Sequence, residues 1–283
     1  SGIWCYPNAS SDSPPQNIFD GLTLDTSNVT NFANYFAYWK NVKTLPQIDT
    51  SKGINFNKFC HNSGIEIYPS HLDFSNGDNF ESAYSYSKII EIPDLILPKA
   101  TTCSMMFQYC RNLQKVGNIT LPEARYILNI FNQIAVKLDF GIFDAPKVEN
   151  AAYFAAGLGP VSIDALLIPN CKNMANLFYN TNITRLDLID FSGREESGNI
   201  FNVTWSCDLT HMLVRGTLNR YSVLNFYQKI DLDDESKQSM INALVDYTDE
   251  ETATLTLHVN TFSGLTEEEI ARITAKNWTI ASA

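Results

Sequence analysis

The chain contains 283 residues, of which 31 are acidic and 20 are basic, so its formal net charge is −11 at pH 7. This charge disfavours nucleic acid or an anionic membrane as the partner, although it also simply keeps a protein soluble. No apolar run approaches the ~20 residues of a membrane-spanning helix, so we expect no membrane insertion. The length suits one or two globular domains, or a single stack of repeats with caps.

The first segment, residues 1–21, is predicted to form an N-terminal cap or arm. Within it, residues 10–15 (SSDSPP) are typical of turns and extended chain. Trp4 and Tyr6 are expected to cover the open end of the first repeat, because terminal repeats need shielding from solvent.

Residues 22–218 contain a unit that repeats about eight times. Each unit carries an aromatic anchor, and successive anchors are 23 to 25 residues apart. A fixed period of this length is typical of a solenoid, in which units stack because one unit cannot bury its own apolar face. We therefore expect the anchors to form a continuous buried ladder. They are Phe36, Phe59, Tyr84, Phe107, Phe131, Phe154, Phe178 and Phe201.

Each unit is predicted to have three parts: a turn, about two turns of helix around the anchor, and a short strand. The strand prediction comes from apolar residues that mostly alternate with polar ones. Such sets occur at 42–45, 65–67, 90–92, 113–116, 136–138, 161–163 and 183–188. The predicted fold class is α/β, a solenoid of about eight 23–25-residue units with N- and C-terminal caps.

Residues 219–283 leave the repeat pattern and are predicted to form a C-terminal α/β cap of helix, strand, helix and strand. Asp233 can cap a helix that runs through Tyr247. Residues 252–259 alternate polar and apolar side chains, which predicts a strand. Thr266 and Glu269 form a capping box before the next helix, and residues 276–280 read as a last strand. The buried residues expected are Met240, Ile241, Leu244, Val245, Ala253, Leu255, Leu257, Val259, Ile270, Ile273 and Trp278.

Two runs within the repeats resemble the BspA-like leucine-rich repeat family of bacterial surface proteins. Residues 25–36 (DTSNVTNFANYF) and 106–113 (MFQYCRNL) are similar to the signature runs of that family. The resemblance covers roughly residues 22–218 and departs from the pattern in the turns at 75–78 and 192–196. It implies a leucine-rich repeat solenoid and a role in adhesion at the cell surface.

The closing segment carries a second resemblance. Residues 265–279 (LTEEEIARITAKNWT) are similar to a segment that follows such repeats in bacterial surface proteins and in phage or prophage tail proteins. This resemblance implies either an extracellular or cell-surface protein or, alternatively, a component of a virion.

The sequence contains no recognisable catalytic or metal-binding motif. The six cysteines form no C-x-x-C pair and are interpreted as buried free thiols rather than as zinc ligands or an essential disulfide framework. The four histidines fall in no metal motif, and no P-loop, H-E-x-x-H or G-x-S-x-G occurs. We expect no enzyme activity, no cofactor and no metal. The cysteines are Cys5, Cys60, Cys103, Cys110, Cys171 and Cys207.

Candidate binding residues come from the strand register. In a leucine-rich repeat solenoid the strands line a concave face, and residues that flank each buried apolar position point to solvent. The resulting stripe has mixed charge, and it could bind a protein or glycan or could equally be a solvated face. The predicted stripe comprises Glu66, Tyr68, Glu91, Lys115, Lys137, Asp139, Asp164, Arg185 and Asp187.

These features predict a non-enzymatic recognition or adhesion protein that binds a host or bacterial surface protein or glycan. A phage tail or receptor-binding component is the alternative that the closing segment favours. A structural spacer and a glycosidase are remoter alternatives.

Overall fold

The computed structural model describes residues 24–134, 137–157, 159–193, 208–220 and 231–282. The protein is mixed α/β, with a parallel sheet of eight strands and few helices. The predicted N-terminal cap, residues 1–21, and the eighth anchor, Phe201, lie outside the described residues.

Successive repeat units along the chain add neighbouring strands to the sheet. Its hydrogen-bonded order is β1-β3-β5-β6-β7-β8, with β2 paired to β4 and β4 to β5, and every pairing is parallel. The strands are β1 (Glu91–Ile92), β2 (Leu95–Ile96), β3 (Lys115–Val116), β4 (Ile119–Thr120), β5 (Leu138–Asp144), β6 (Val161–Leu167), β7 (Ile183–Asp190) and β8 (His211–Arg215).

The first two predicted strands, at 42–45 and 65–67, are not strands in the structure. Val42, Leu45 and Ile65 are nevertheless buried in the same core as the later strand residues. The apolar pattern therefore identified these three core positions, but it was wrong about the backbone. It was also wrong about Ile67 and about Ile90 in the next unit, which belong to the predicted apolar sets but are 62% and 42% exposed.

The predicted helix around each anchor was also wrong. No α-helix occurs within residues 24–134, 137–157 or 159–193. In the first unit Phe32, Asn34, Phe36 and Tyr38 donate their backbone N–H groups to carbonyls of the next unit, at 2.8 to 2.9 Å. Between them, Tyr35 and Ala37 donate to the carbonyls three positions back and so form a series of tight turns. An α-helix would use all of these donors internally and leave none for the neighbouring unit.

In each of the seven described anchor segments, two positions four residues apart adopt positive φ, which a right-handed helix does not allow. Asparagine occupies five of these positions, in keeping with its tolerance of the left-handed region. The non-glycine residues concerned are Asn34, Tyr38, Lys58, Asn62, Ser82, Tyr86, Met105, Tyr109, Asn129, Gln133, Tyr153, Asn176 and Asn180.

The predicted aromatic ladder is confirmed for the seven anchors that the structure describes. Each is at most 1% exposed. Successive rings are in contact along the stack, with centroid distances between 5.3 and 6.4 Å. The rings therefore link the units through one continuous internal column.

The register within the ladder differs from the simple spacing of the anchors. Phe36, Tyr84, Phe107 and Phe131 donate to the following unit, whereas Phe59 makes a turn bond within its own unit. In the units of Phe59 and Phe154, the residue that donates to the following unit is Cys60 or Ala155. These two anchors therefore lie one position before it. Consistently, Tyr84–Phe107 and Phe107–Phe131 stack at 9°, while contacts with the displaced rings are steep, at 75 to 90°.

A row of asparagines starts most anchor segments, and neighbouring members of the row are joined by parallel bridges. In each, the side-chain oxygen accepts the backbone N–H two residues on, at 2.9 to 3.0 Å. Short local bonds of this kind favour turns over helix. The residues are Asn31, Asn55, Asn79, Asn150 and Asn173.

Four cysteines lie within the described residues, and all are free and buried. Cys5 and Cys207 lie outside them. Burial raises the pKa of the Cys110 thiol to about 12, which leaves it protonated and weakly nucleophilic at neutral pH. The expected buried free thiols are confirmed at Cys60, Cys103, Cys110 and Cys171.

The C-terminal segment follows the predicted order of helix, strand, helix and strand, with one additional short helix. Asp233 caps the first helix, and Thr266 with Glu269 forms the predicted capping box. Strands β9 and β10 pair in parallel as a separate sheet. The elements are α1 (Asp234–Ala243), β9 (Ala253–Leu257), α2 (Val259–Ser263), α3 (Glu267–Ala275) and β10 (Trp278–Ser282).

Three details of this segment correct the sequence prediction. Helix α1 ends at Ala243 rather than at Tyr247, because Leu244 adopts extended backbone that pairs with Leu218. Val259 was expected on the buried face of β9, but it begins α2 and is 51% exposed. Ile270, expected in the core, is 38% exposed on α3.

Helix α1 covers the last strand of the large sheet. The backbone N–H groups of Met212 and Val214 in β8 donate to the hydroxyls of Ser236 and Ser239 in α1, both at 2.8 Å. Those N–H groups would otherwise form an open sheet edge, which is prone to aggregation. The serine side chains therefore close the sheet.

Candidate functional site

One line of side chains crosses the large sheet in register. Parallel pairing aligns Glu91 with Lys115, Lys115 with Asp139, and Asp139 with Ser162, and the line continues to Arg185 and His211. At the other end a bridge adds Ile67 beside Glu91. We call these seven residues the sheet row. Four of the predicted site residues, Glu91, Lys115, Asp139 and Arg185, therefore lie on one line.

Charges in and beside the sheet row are largely paired with one another. Lys115 Nζ donates to Glu91 Oε1 at 2.9 Å, and this carboxylate raises the pKa of Lys115 above its ordinary value. The predicted residues Lys137 and Glu66 also make ion pairs, Lys137 with Asp139 at 3.5 Å and Glu66 with Lys43 at 3.2 Å.

The remaining two predicted acidic residues flank the row on β6 and β7. Arg185 pairs with Asp187, two residues along the same strand. Asp164 is exposed. Exposed pairs of this kind each contribute ~1 kcal/mol or less, so a ligand can replace them at little cost.

Tyr68 does not belong to this surface. It is 7% exposed and packs against the Tyr84 ring at 5.4 Å, so the predicted outward orientation was wrong. The backbone N–H groups of Glu66 and Ile67 both approach the Lys43 carbonyl, at 2.9 and 3.4 Å. This irregularity shifts the alternation by one residue, which turns Ile67 outward and Tyr68 inward.

His211, at the end of the sheet row, was not a predicted site residue. Its Nδ1 lies 2.7 Å from Asp233 Oδ2, and its side chain is largely buried. Burial acts to raise the pKa of Asp233, but hydrogen bonds from Ser236 and His211 outweigh it and hold that pKa below its ordinary value. The row thus ends at the N-terminus of α1. The parallel register, which sequence spacing does not give, places His211 there.

A second surface lies on the anchor segments of the first four units. Tyr38, His61, Tyr86 and Tyr109 form a chain of ring contacts, with centroid distances of 5.4, 5.6 and 4.4 Å. Tyr86 is 47% exposed and stacks on Tyr109 at 14°. The Arg111 guanidinium lies over the Tyr109 ring, 5.7 Å from its centroid.

Basic residues accompany these rings at a fixed spacing. Lys40, Lys88 and Arg111 each follow a tyrosine by two residues, in backbone-equivalent places. In the second unit Gly64 holds this place, and a Cβ there would lie 2.0 Å from the Lys40 carbonyl oxygen. We call Tyr38, Lys40, His61, Tyr86, Lys88, Tyr109 and Arg111 the aromatic edge. The recurrence of Tyr-x-Lys/Arg was the sequence signal that could have revealed it.

The described residues contain no group of three or more His, Cys, Asp or Glu side chains that could hold a metal ion. Within the same residues, no helix is both long and apolar enough to cross a membrane.

Comparison with protein-family models, with curated proteins and with solved structures gave no match for this chain.

Proposed function

We propose that this chain is a non-enzymatic recognition protein of the BspA-like leucine-rich repeat type, which binds a surface protein or glycan through its solenoid face. The observation that carries the proposal is the sheet row. Its six members from Glu91 to His211 follow one another at the strand spacing and extend over about 24 Å. A single ligand lying along the row would contact several units at once.

The chemistry of the row supports binding rather than catalysis. Its charges alternate in sign and its ion pairs are exposed, so a ligand can exchange them for its own groups. Exposed aliphatic side chains lie on and near the same strands, and these provide apolar area for contact. They are Ile67, Ile90, Ile96 and Ile142.

The same proposal places the protein at the cell surface or outside the cell. A phage tail or receptor-binding component is the second candidate, and the closing segment that ends in Lys276-Asn277-Trp278-Thr279 favours it. Both candidates recognise a macromolecule at a surface. The identity of the neighbouring genes, surface adhesins or tail genes, distinguishes them.

The proposal is tested by screening the purified chain against a glycan array and a panel of host extracellular proteins. We expect a specific ligand whose affinity falls at least tenfold in the double variant Lys115→Ala/Arg185→Ala. The matched control is Arg125→Ala/Lys147→Ala, which also removes two exposed, ion-paired cations but lies outside the row. The control variant should bind as the wild type does.

Other outcomes would contradict the proposal in different ways. A chain that binds nothing on either panel is a structural spacer. Equal losses in the row variant and the control variant would reject the sheet row as the contact surface. Turnover of a polysaccharide would identify a glycosidase instead.

A further inference from the structure

We propose that the aromatic edge is a second binding surface and that it takes an acidic glycan, a chain of sugars carrying carboxylate or sulfate groups. This inference rests on the proposed recognition function, but it concerns a different surface and names the ligand chemistry.

The cations of the aromatic edge have no carboxylate partners. Within the described parts of the chain, Lys40, Lys88 and Arg111 have no Asp or Glu oxygen within 4.0 Å. By contrast, Lys43, Lys115, Arg125, Lys137 and Lys147 all form ion pairs. Lys52 and Lys99 also lack carboxylate partners, and they bond to Asn28 and Asn76 instead. What distinguishes the aromatic edge is that its three cations accompany a chain of aromatic rings. Their cluster leaves a local positive charge on an otherwise acidic protein.

His61 lies in the positive field of neighbouring lysines. Burial lowers the pKa of His61, and the charges of Lys58 and Lys40 lower it further. Lys88 acts similarly on Lys40, whose pKa is lowered by burial and then by this neighbouring charge. The edge therefore favours a ligand that brings negative charge.

The faces of the Tyr86 and Tyr109 rings are covered by one another and by neighbouring side chains. Tyr86 and Tyr109 cover each other at 4.4 Å, Arg111 lies over Tyr109, and His61 meets Tyr86 edge-on at 76°. Ring edges carry partial positive charge, and phenol hydroxyls donate hydrogen bonds. Both favour an anion. Nucleobases would instead need free ring faces to stack on.

The spacing of the edge fits a regular polymer. Lys88 and Arg111 belong to neighbouring units, and Lys40 lies two units before Lys88. Units in a parallel stack are ~4.8 Å apart, so the cations recur at multiples of one fixed distance. A polysaccharide with one acidic group per sugar or per disaccharide presents its charges in the same regular way. Its hydroxyls can bond to the tyrosine hydroxyls between the charges.

The test measures binding of the full chain to oligogalacturonate, a heparin oligosaccharide and polysialic acid by calorimetry at physiological ionic strength. We expect at least one of them to bind, and its affinity to fall with added salt. The fully methyl-esterified oligogalacturonate, which keeps the sugars but removes the charge, should bind at least tenfold more weakly than the acid if the acid is the ligand. No binding to any of the three acidic glycans overturns the proposal.

Substitutions in the aromatic edge test whether the glycan binds there. Lys88→Ala/Arg111→Ala should weaken binding at least tenfold. The control Lys52→Ala/Lys99→Ala removes the same charge from cations that bond only to Asn28 and Asn76, and it should have no more than a twofold effect.

Tyr86→Phe/Tyr109→Phe keeps the ring stack and removes the hydroxyls, and it should weaken binding several-fold. Unchanged melting temperatures show that the variants are folded.

Two further results separate failure of this inference from failure of the proposed function. Loss of glycan binding in Lys115→Ala/Arg185→Ala but not in Lys88→Ala/Arg111→Ala would assign the ligand to the sheet row and reject the aromatic edge. Tighter binding of poly-glutamate or of a single-stranded oligothymidine than of any acidic glycan would reject the ligand class.

Discussion

At the scale of single residues, aromatic side chains hold the repeat units together. Phe107 lies between Tyr84 and Phe131, with centroid distances of 5.7 and 5.6 Å, and all three rings are fully buried. Each ring therefore contacts both of its neighbours in the stack. Removing the Phe107 ring therefore removes the ring contacts that join three successive units.

We expect Phe107→Ala to lower the free energy of unfolding by ~3–5 kcal/mol, because the surrounding rings cannot close the cavity. Urea denaturation followed by circular dichroism measures this change. Tyr126→Ala, at an aromatic position that is 46% exposed, is the control and should change stability by less than ~0.5 kcal/mol. Similar losses in the two variants would contradict the ladder as a source of stability.

Aspartates in the unit turns are a second feature at this scale. Hydrogen bonds from the side chain and then the backbone of Ser51 lower the pKa of Asp49, which is held below its ordinary value. A lowered folded-state pKa stabilises the fold above the unfolded value of about 3.9, and this contribution is lost as the pH falls through the folded value. Acidification below about pH 4 should therefore progressively destabilise these turns.

Carboxyl titration by NMR tests the origin of this shift. Ser51→Ala should raise the pKa of Asp49 toward about 3.9. Thr248→Ala is the reciprocal control, since Thr248 makes the same contacts with Asp246 in the C-terminal segment. It should raise the pKa of Asp246 and leave that of Asp49 unchanged. An unaltered Asp49 pKa in Ser51→Ala would refute the assignment.

At the scale of elements, the contact between α1 and β8 decides how the large sheet ends. Ser236 is fully buried, and its Oγ both accepts the Met212 N–H at 2.8 Å and donates to Asp233 at 2.5 Å. A helix cannot continue a β-ladder through its own backbone, because its N–H and C=O groups are already used. The serine hydroxyls substitute for the missing strand.

Ser236→Ala should lower the free energy of unfolding by ~1–3 kcal/mol, because the buried Met212 N–H then has no acceptor. Thermal and chemical denaturation measure the change. The exposed Ser263, whose Oγ bonds only to the Asn260 carbonyl of its own helix, supplies the control Ser263→Ala. Stability of Ser236→Ala equal to that of the control would show that this bond does not close the sheet.

At the scale of the whole molecule, the C-terminal segment packs against the end of the large sheet. Leu218 joins the segment to the last described part of the sheet through a parallel bridge to Leu244. The buried core continues without a break from the anchors to Met240, Ile273 and Trp278. The segment therefore shares a core with the repeats.

Deletion of residues 220–283 should cause aggregation or loss of cooperative unfolding, since it exposes the β8 edge and the apolar surface beneath α1. Light scattering coupled to size-exclusion chromatography measures the first effect, and thermal unfolding measures the second. A truncated chain that remains monomeric with an unchanged melting temperature would instead show the segment to be an independent domain.

The sequence by itself determined the period, the burial of the anchors and the helix N-caps of the C-terminal segment. These are local properties, because an apolar side chain at a fixed interval must be buried whichever backbone carries it. The seven described anchors are buried, and the caps at Asp233 and Thr266 form as expected. Short-range chemistry was sufficient for each of them.

The tertiary structure alone decided the backbone of the anchor segments and the register between units. Residues around Phe36 were expected to be helical, yet their N–H groups bond to a unit 23 residues away, which no local pattern encodes. A one-residue shift at Ile67 then buried Tyr68, and pairing between strands brought His211 beside Arg185. Hydrogen bonds between distant segments fix which side chains share a surface, so both candidate binding surfaces are products of the stack.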